Sequence, residues 1–136
     1  GDWTRVFTSQ QDFDHLLSET GGYLRDLFRA LQGVMMSAAD NQQLPLERDV
    51  IEFEIARLRT DYLPVSHEDA VWLAQVASSH EAELPKHDNI PNLSRFFDTH
   101  LLLCYRNGEE WYDLHPLIRD AVKGIVARES TKKTVT

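Results

Sequence analysis

The residues best suited to chemistry lie in a short segment where a glycine pair precedes an arginine. Within ETGGYLRDLFRAL, which spans Glu19 to Leu31, Gly21 and Gly22 come shortly before Arg25. Adjacent glycines are costly in backbone entropy, and a cation is disfavoured near the positive end of a helix dipole. The leucine-rich residues that follow nevertheless predict a helix that begins here. We infer that something other than local stability selects this turn and its arginine.

Histidine and acidic residues gather in one polar loop, HEAELPKHD, where a metal site has to be considered. The candidate ligands are His80, Glu81, His87 and Asp88. Their spacing matches no compact ligand pattern such as HExxH, and no cysteine accompanies them. We interpret the segment as a solvated loop and predict no metal site.

A further histidine, His115, follows Asp113 at the end of a β-type run and precedes Pro116. Acid–base chemistry would need a nucleophile paired with it, and no serine or cysteine stands in a recognisable pattern. We predict that this histidine bonds locally to hold a corner of the fold. The chain also lacks a phosphate-binding GxxxxGK[ST] loop, so we expect no enzyme activity from it alone.

The composition favours a compact globular chain, with 42% hydrophobic and 26% charged residues among 136. No apolar run approaches the about 20 residues that a membrane span needs, and no basic-then-apolar leader is evident. We therefore expect a cytoplasmic protein. The one cysteine, Cys104, lies within LLLCY, and we interpret it as a small buried hydrophobic residue.

The first half of the sequence has the apolar periodicity of three helices. Ser9 is suited to cap the first helix, and an i, i+3, i+4, i+7 pattern after the glycine pair predicts a second helix of about four turns. Its predicted buried face consists of Leu24, Leu27, Phe28, Leu31, Val34, Met35 and Ala38. A third helix follows Pro45, and a break at Pro64 separates this bundle from the rest.

The second half shows the order helix, loop, helix, hairpin and helix. Asn107 and Gly108 between two β-type runs predict a type I′ hairpin turn, with both residues at positive φ. This order is typical of a winged helix in which the hairpin is the wing. We therefore predict a mainly α protein, with a helical bundle, a winged helix with a two-stranded wing, and a flexible tail, over residues 1–64, 65–127 and 128–136.

The charge balance bears on nucleic-acid binding. Fourteen basic against 22 acidic residues give a net charge of -8, which argues against non-specific binding to nucleic acids or anionic membranes. Winged helices often bind DNA through one helix and the wing, and here these elements offer Arg95 and Arg106 as candidate contacts. Residues 66–125 hold five basic and ten acidic residues, so DNA binding would have to depend on a local patch.

The segment GGYLRDLFRAL resembles the opening of the sensor-2 helix in the helical lid of AAA+ ATPases, in the branch that includes the origin-recognition ATPases and their STAND relatives. In that family a glycine-containing turn precedes an arginine that reaches the γ-phosphate of ATP held by the preceding P-loop domain. The resemblance implies that Arg25 contacts ATP, with Gly21 and Gly22 forming the tight turn. A guanidinium is a rigid fork of donors suited to phosphate oxygens, in agreement with this role. The second half, with NGEEWYDLHPLIRD, is similar to the winged helix that follows the lid.

The resemblance covers about residues 13–126 and implies a non-catalytic, C-terminal regulatory part of a larger ATPase that uses ATP and magnesium. Its lid would close on ATP held by the N-terminal P-loop domain, and its winged helix would contact protein partners or neighbouring subunits, with DNA disfavoured by the acidic charge. Two alternatives stay open. For the function, the alternative is a free-standing winged-helix DNA-binding regulator. For Arg25, the alternative is a surface residue paired with Asp26 or Glu19.

Overall fold

The computed structural model describes residues 5–81 and 90–134. This part of the chain is mainly helical. A two-stranded antiparallel hairpin follows the first five α-helices, and a sixth comes after it, which confirms the predicted fold class. Two short 3₁₀ helices cover Thr60–Tyr62 and Pro116–Ile118. In chain order the main elements are α1 (Gln10–Glu19), α2 (Leu24–Asn41), α3 (Arg48–Arg59), α4 (His67–Ser79), α5 (Ile90–Asp98), β1 (Leu102–Asn107), β2 (Glu109–Leu114) and α6 (Arg119–Thr134).

The chain divides into two compact units, which we call unit 1 (Gly1–Asp61) and unit 2 (Tyr62–Thr136). The division falls slightly before the predicted boundary at residue 64. Helix α6 continues to Thr134, so a helix takes the place of the flexible tail that was predicted from residue 128. No glycine or proline follows Gly124 in the sequence, and nothing there interrupts helical geometry.

Unit 1 is a three-helix bundle in which α3 packs against both α1 and α2. Ser9 caps α1 as predicted, because its Oγ accepts a hydrogen bond from the backbone nitrogen of Asp12 at 3.2 Å. The segment before α1 joins the segment before α3, where Leu46 N donates to Val6 O at 2.7 Å. The buried apolar residues of this unit are Phe7, Leu16, Ala30, Val34, Ala38, Leu46, Ile51, Ile55 and Leu58.

The buried face of α2 coincides only in part with the predicted one, since Val34 and Ala38 are buried as predicted. The residues that face the bundle are Asp26, Ala30, Val34 and Ala38. Leu24, Phe28 and Met35 are 62%, 64% and 45% exposed, so the prediction that they belong to the core is wrong. The short side chains on the buried face let the neighbouring helix approach closely, and this packing decided the orientation of α2 against its larger apolar residues.

Unit 2 has one apolar core shared by its helices and its hairpin. The core residues are Val65, Ala70, Leu73, Val76, Phe96, Leu101, Leu102, Leu114, Ile118 and Val122. Ser66 caps α4, since its Oγ accepts from the backbone nitrogen of Asp69 at 3.1 Å. The element order α4, α5, hairpin and α6 is that of the predicted winged helix.

The hairpin pairs residues from Leu102 opposite Leu114 to Asn107 opposite Glu109. Gly108 alone stands between the paired ends, with a φ of 90°, while Asn107 is the last residue of β1. The position of the hairpin is therefore as predicted, but the two-residue type I′ turn is wrong. Among the described helices, none combines the length and the apolar character that crossing a membrane requires.

Candidate functional site

The glycine pair forms the turn that the sequence predicts between α1 and α2. Gly21 and Gly22 have φ angles of 62° and 73°, a region that residues with a side chain rarely adopt. Just before them, the buried Thr20 donates its hydroxyl to carbonyls of the last turn of α1. Tyr23 N then donates back to Thr20 O at 3.0 Å. The chain reverses here, and Arg25 lies on the first turn of the helix that follows.

Arg25 is exposed to solvent. Among residues 5–61 its side chain forms no ion pair or hydrogen bond. Each of the other arginines in this range interacts with another group; these are Arg5, Arg29, Arg48, Arg57 and Arg59. An exposed guanidinium without such a contact can donate hydrogen bonds to an external anion.

The two carboxylates nearest to Arg25 in sequence interact with other arginines. Asp26 is fully buried, and its Oδ1 lies 3.6 Å from Arg29 Nη1. Arg29 also donates a hydrogen bond to Asp61, at the end of unit 1. Glu19 lies 3.7 Å from an arginine of α3. The alternative in which Arg25 pairs with Asp26 or Glu19 is therefore not the arrangement that the fold adopts.

A buried carboxylate that the sequence reading missed fixes α3 against α2. Glu54 is 5% exposed, and its Oε2 accepts a hydrogen bond from Arg57 Nε at 2.8 Å. The carboxylate lies against Gly33 of α2, where a Cβ atom would overlap it. These residues line an open cavity of about 460 Å³ together with Arg29 and Met36. The available signal in the sequence was Gly33 itself, because a glycine within a helical pattern often marks a close approach by another residue.

A charged cluster ties α1 to α3 on another side of unit 1. Arg48 Nη1 lies 2.9 Å from Asp12 Oδ1, and Arg48 Nε lies 2.9 Å from Glu52 Oε1. The hydrogen bond from Arg48 lowers the pKa of Asp12, which outweighs the opposing effect of burial. The cluster holds the helix that leads into the glycine turn.

The two candidate DNA contacts differ in their surroundings. Arg95 Nη2 lies 2.7 Å from Asp69 Oδ1, and its guanidinium carbon is 4.8 Å from the centre of the Phe96 ring. Arg106 is exposed on β1 and lies opposite Glu110 in the strand register. A phosphate would have to compete with Asp69 at Arg95, whereas Arg106 has an acidic residue opposite it in the register.

The wing carries aromatic rings that contact one another. Tyr105 and Trp111 face each other across the strands, with ring centres 4.5 Å apart and planes at 21°. On the opposite face, Tyr112 donates its hydroxyl to Glu110, and this hydrogen bond raises the pKa of Tyr112 to about 12. Cys104 is exposed, so its interpretation as a buried hydrophobic residue is wrong. In the strand register Cys104 lies opposite Tyr112.

His115 and Asp113 are both used within the fold. His115 is fully buried, its Nδ1 accepts from Leu117 N at 3.2 Å, and its ring lies 4.6 Å from that of Tyr62. Asp113 Oδ2 accepts from Arg119 Nη2 at 2.7 Å. These contacts hold the corner between β2 and the last helix, in agreement with the structural role predicted for His115.

The described residues contain no group of three side chains that could hold a metal ion. His80 ends α4 and contacts β2 through its Nδ1, which lies 3.2 Å from Tyr112 O. Glu81 is exposed beside it. The other two candidate ligands, His87 and Asp88, lie outside the described residues.

Comparison of the chain with family models, with curated proteins and with solved structures finds no match.

Proposed function

We propose that this chain is the C-terminal regulatory part of a larger AAA+ or STAND-type ATPase, in which unit 1 is the lid and unit 2 is a winged helix that contacts proteins. The lid closes on ATP held by an N-terminal P-loop domain of the same protein. Arg25 contacts the phosphate, and the turn of Gly21 and Gly22 places the start of α2 toward it. ATP and magnesium belong to the parent protein, and the P-loop domain supplies the rest of their binding site.

The observation that carries the proposal is the state of Arg25. It is exposed, and it forms no ion pair among the described residues, although its neighbours Asp26 and Glu19 are acidic. A planar guanidinium can donate two parallel hydrogen bonds to phosphate oxygens. The residues present therefore fit a phosphate contact, with one arginine as the donor from this chain.

The contact between Arg25 and the phosphate would act by raising the population of the closed lid. The lid makes the arginine contact in its closed state alone, so bound nucleotide favours that state by the free energy of the contact. Hydrogen bonds to charged groups are worth about 1.5–3 kcal/mol. Loss of the contact should therefore change the equilibrium by about 10- to 100-fold.

Two features of unit 2 support a protein partner over DNA. Arg95 already pairs with Asp69, and the exposed residues beside it on α5 include Ser94 and Asp98 instead of further cations. Arg106 faces Glu110 across the hairpin. A DNA-binding regulator would be expected to show a basic stripe along this helix and the wing.

The decisive test uses the full-length protein. Its sequence should contain a P-loop and an acidic magnesium-binding motif ahead of Gly1, and Arg25→Ala should weaken ATP binding or hydrolysis by about 10- to 100-fold. Arg128→Ala is the matched control, since Arg128 is exposed on α6 and no ion pair involving it occurs in the described ranges. Equal ATP affinity and turnover in the parent and in Arg25→Ala would contradict the sensor role.

The alternative, a free-standing DNA-binding regulator, is tested separately with the 136-residue chain. Titration with duplex DNA at physiological salt should give no specific binding. Binding that Arg95→Ala or Arg106→Ala abolishes would favour the alternative.

A further inference from the structure

A cavity in unit 2 lies between α4, β2 and α6. Its volume is about 400 Å³, which is within the range of sites that hold small organic molecules. The apolar part of its wall consists of Ala74 and Ala77 of α4, Leu114 of β2 and Val122 of α6. The two alanines are neighbours on one helix face, and their short side chains leave space that larger ones would fill. This wall can accommodate a short hydrocarbon chain.

Two cations of α6 border the apolar wall. Arg119 and Lys123 are four residues apart, a spacing that makes their side chains neighbours on one helix face. Both residues are exposed, and Lys123 forms no ion pair or hydrogen bond within residues 5–81 and 90–134. Ser78 of α4 adds a hydroxyl to the same cavity. The polar side of the cavity therefore offers several hydrogen-bond donors.

The buried carboxylate of Asp113 holds one of these cations in place. Asp113 is 8% exposed, and its Oδ1 accepts a hydrogen bond from Leu114 N at 2.7 Å. Its Oδ2 accepts from Arg119 Nη2, also at 2.7 Å. A guanidinium has several N–H donors, and this contact occupies one of them. Arg119 is thus oriented by the fold, with donors left for a second anion.

The charges that line the cavity indicate the sign of its ligand. Arg119 and Lys123 stand against the single carboxylate of Asp113, so the lining has an excess positive charge although the chain carries a net charge of -8. The cavity of unit 1 differs, because its two arginines are matched by the carboxylates of Asp40 and Glu54. An excess of cations over carboxylates favours an anionic ligand in unit 2.

We propose that the cavity of unit 2 binds a small amphipathic carboxylate, such as the anion of a medium-chain fatty acid. The carboxylate accepts hydrogen bonds from Arg119 and Lys123, and the hydrocarbon chain lies against the apolar wall. Both halves of the ligand contribute, since the wall gains from burial of the chain and the cations gain from the charged head group. The inference is independent of the proposed function, because it depends on residues of unit 2 alone.

The first experiment titrates the 136-residue chain with octanoate and follows the backbone amide signals by NMR. Octanoate should shift the signals of Ala77, Leu114 and Val122 and reach saturation, which gives a dissociation constant. Acetate keeps the head group without the chain, and 1-octanol keeps the chain without the charge. Each of these two probes should bind weaker by about tenfold or more, because each lacks one of the two contributions.

The second experiment compares Lys123→Gln with Lys132→Gln in the same titration. Both lysines are exposed on α6, and Lys132 is not part of the cavity wall, so it is the matched control. Lys123→Gln should weaken octanoate binding by about tenfold, the effect expected from losing one hydrogen bond to a charged group. Lys132→Gln should leave the dissociation constant unchanged. Both substitutions are at exposed positions, where the fold is expected to persist.

Three results would overturn the proposal. The first is the absence of shifts around the cavity at millimolar octanoate, including a case in which only exposed apolar residues of unit 1 respond. The second is equal binding of 1-octanol and octanoate, or equal loss in the two lysine variants, since the cations would then play no part. The third is equal affinity for acetate, which would assign the cavity to a compact anion.

Discussion

Unit 1 and unit 2 differ in how far their large apolar side chains are exposed to solvent. In unit 1, Leu24, Phe28 and Phe53 are each more than 60% exposed. In the described part of unit 2, the most exposed large apolar residue is Ile90, at 49%. Unit 1 thus leaves several of its large apolar side chains more exposed than any in the described part of unit 2.

Particular arginines of the two units also differ in their contacts. The candidate DNA contact Arg95 and the corner residue Arg119 of unit 2 both lie 2.7 Å from a carboxylate of their own unit. Arg25 of unit 1 has no such partner among residues 5–81 and 90–134. These two arginines of unit 2 pair within their own unit, whereas Arg25 lies on α2 beside exposed apolar side chains.

The strongest test of this difference in exposure is to remove one aromatic ring from each unit and compare the loss of stability. Phe96 is 1% exposed in the core of unit 2, so Phe96→Ala should lower its free energy of unfolding by about 3–5 kcal/mol. Phe28→Ala in unit 1 should change stability by about 0.5 kcal/mol or less, as expected for an exposed position. Urea unfolding of the 136-residue chain measures both. A large loss from Phe28→Ala would mean that the Phe28 ring packs in the core of unit 1.

A smaller effect is expected from adding one methyl group at matched helical glycines. Gly33→Ala should destabilise unit 1 by about 1–3 kcal/mol, because the new Cβ would overlap the Glu54 carboxylate. A Cβ atom added at Gly124 on α6 would have no heavy atom within 4 Å, so Gly124→Ala should stabilise unit 2 by about 0.5–1 kcal/mol. Thermal unfolding followed by circular dichroism compares the two. Opposite signs are the expected outcome, and two stabilising changes would show that Gly33 makes no close approach.

The smallest effect concerns the wing and alkaline pH. The pKa of Tyr112 is raised to about 12 by its hydrogen bond to Glu110. The neutral phenol is favoured in the folded state, so its contribution to stability is present below about pH 10 and is lost as the pH rises through about 12. Glu110→Ala should return the pKa toward its ordinary value, as measured by tyrosinate absorbance. Loss of the titration step in Tyr112→Phe would assign that step to Tyr112. An unchanged pKa in Glu110→Ala would exclude the hydrogen bond to Glu110 as the cause of the raised value.

Local signals in the sequence were sufficient for most element boundaries. Ser9 and Ser66 cap helices as predicted, since a hydroxyl that accepts from a backbone nitrogen is a short-range feature. Gly21 and Gly22 adopt the positive φ angles that a tight turn requires. The hairpin also lies where Asn107 and Gly108 predicted it, although the turn type depends on the register of pairing across the strands.

Features that depend on packing between elements were not predictable from periodicity. The apolar positions of α2 form one wide arc, and the bundle covers the side with Ala30, Val34 and Ala38 instead of the side with Phe28. The pairing of the buried Glu54 with the exposed Arg57 was not predictable for the same reason, because the cavity they line lies where two helices meet. In the candidate site, Arg25 was found from local sequence, while its lack of an ion pair depended on where distant carboxylates fold.

The contact between His80 and the wing has a consequence for aggregation. Tyr112 N donates to His80 O at 3.0 Å, and since Tyr112 O is a carbonyl that can accept but not donate, the His80 Nδ1 that lies 3.2 Å away donates to it. An open strand edge is a template on which strands of other molecules can add. Here the residue that ends α4 occupies both backbone groups of Tyr112 on β2. At this position the wing can stay on the surface without recruiting another strand.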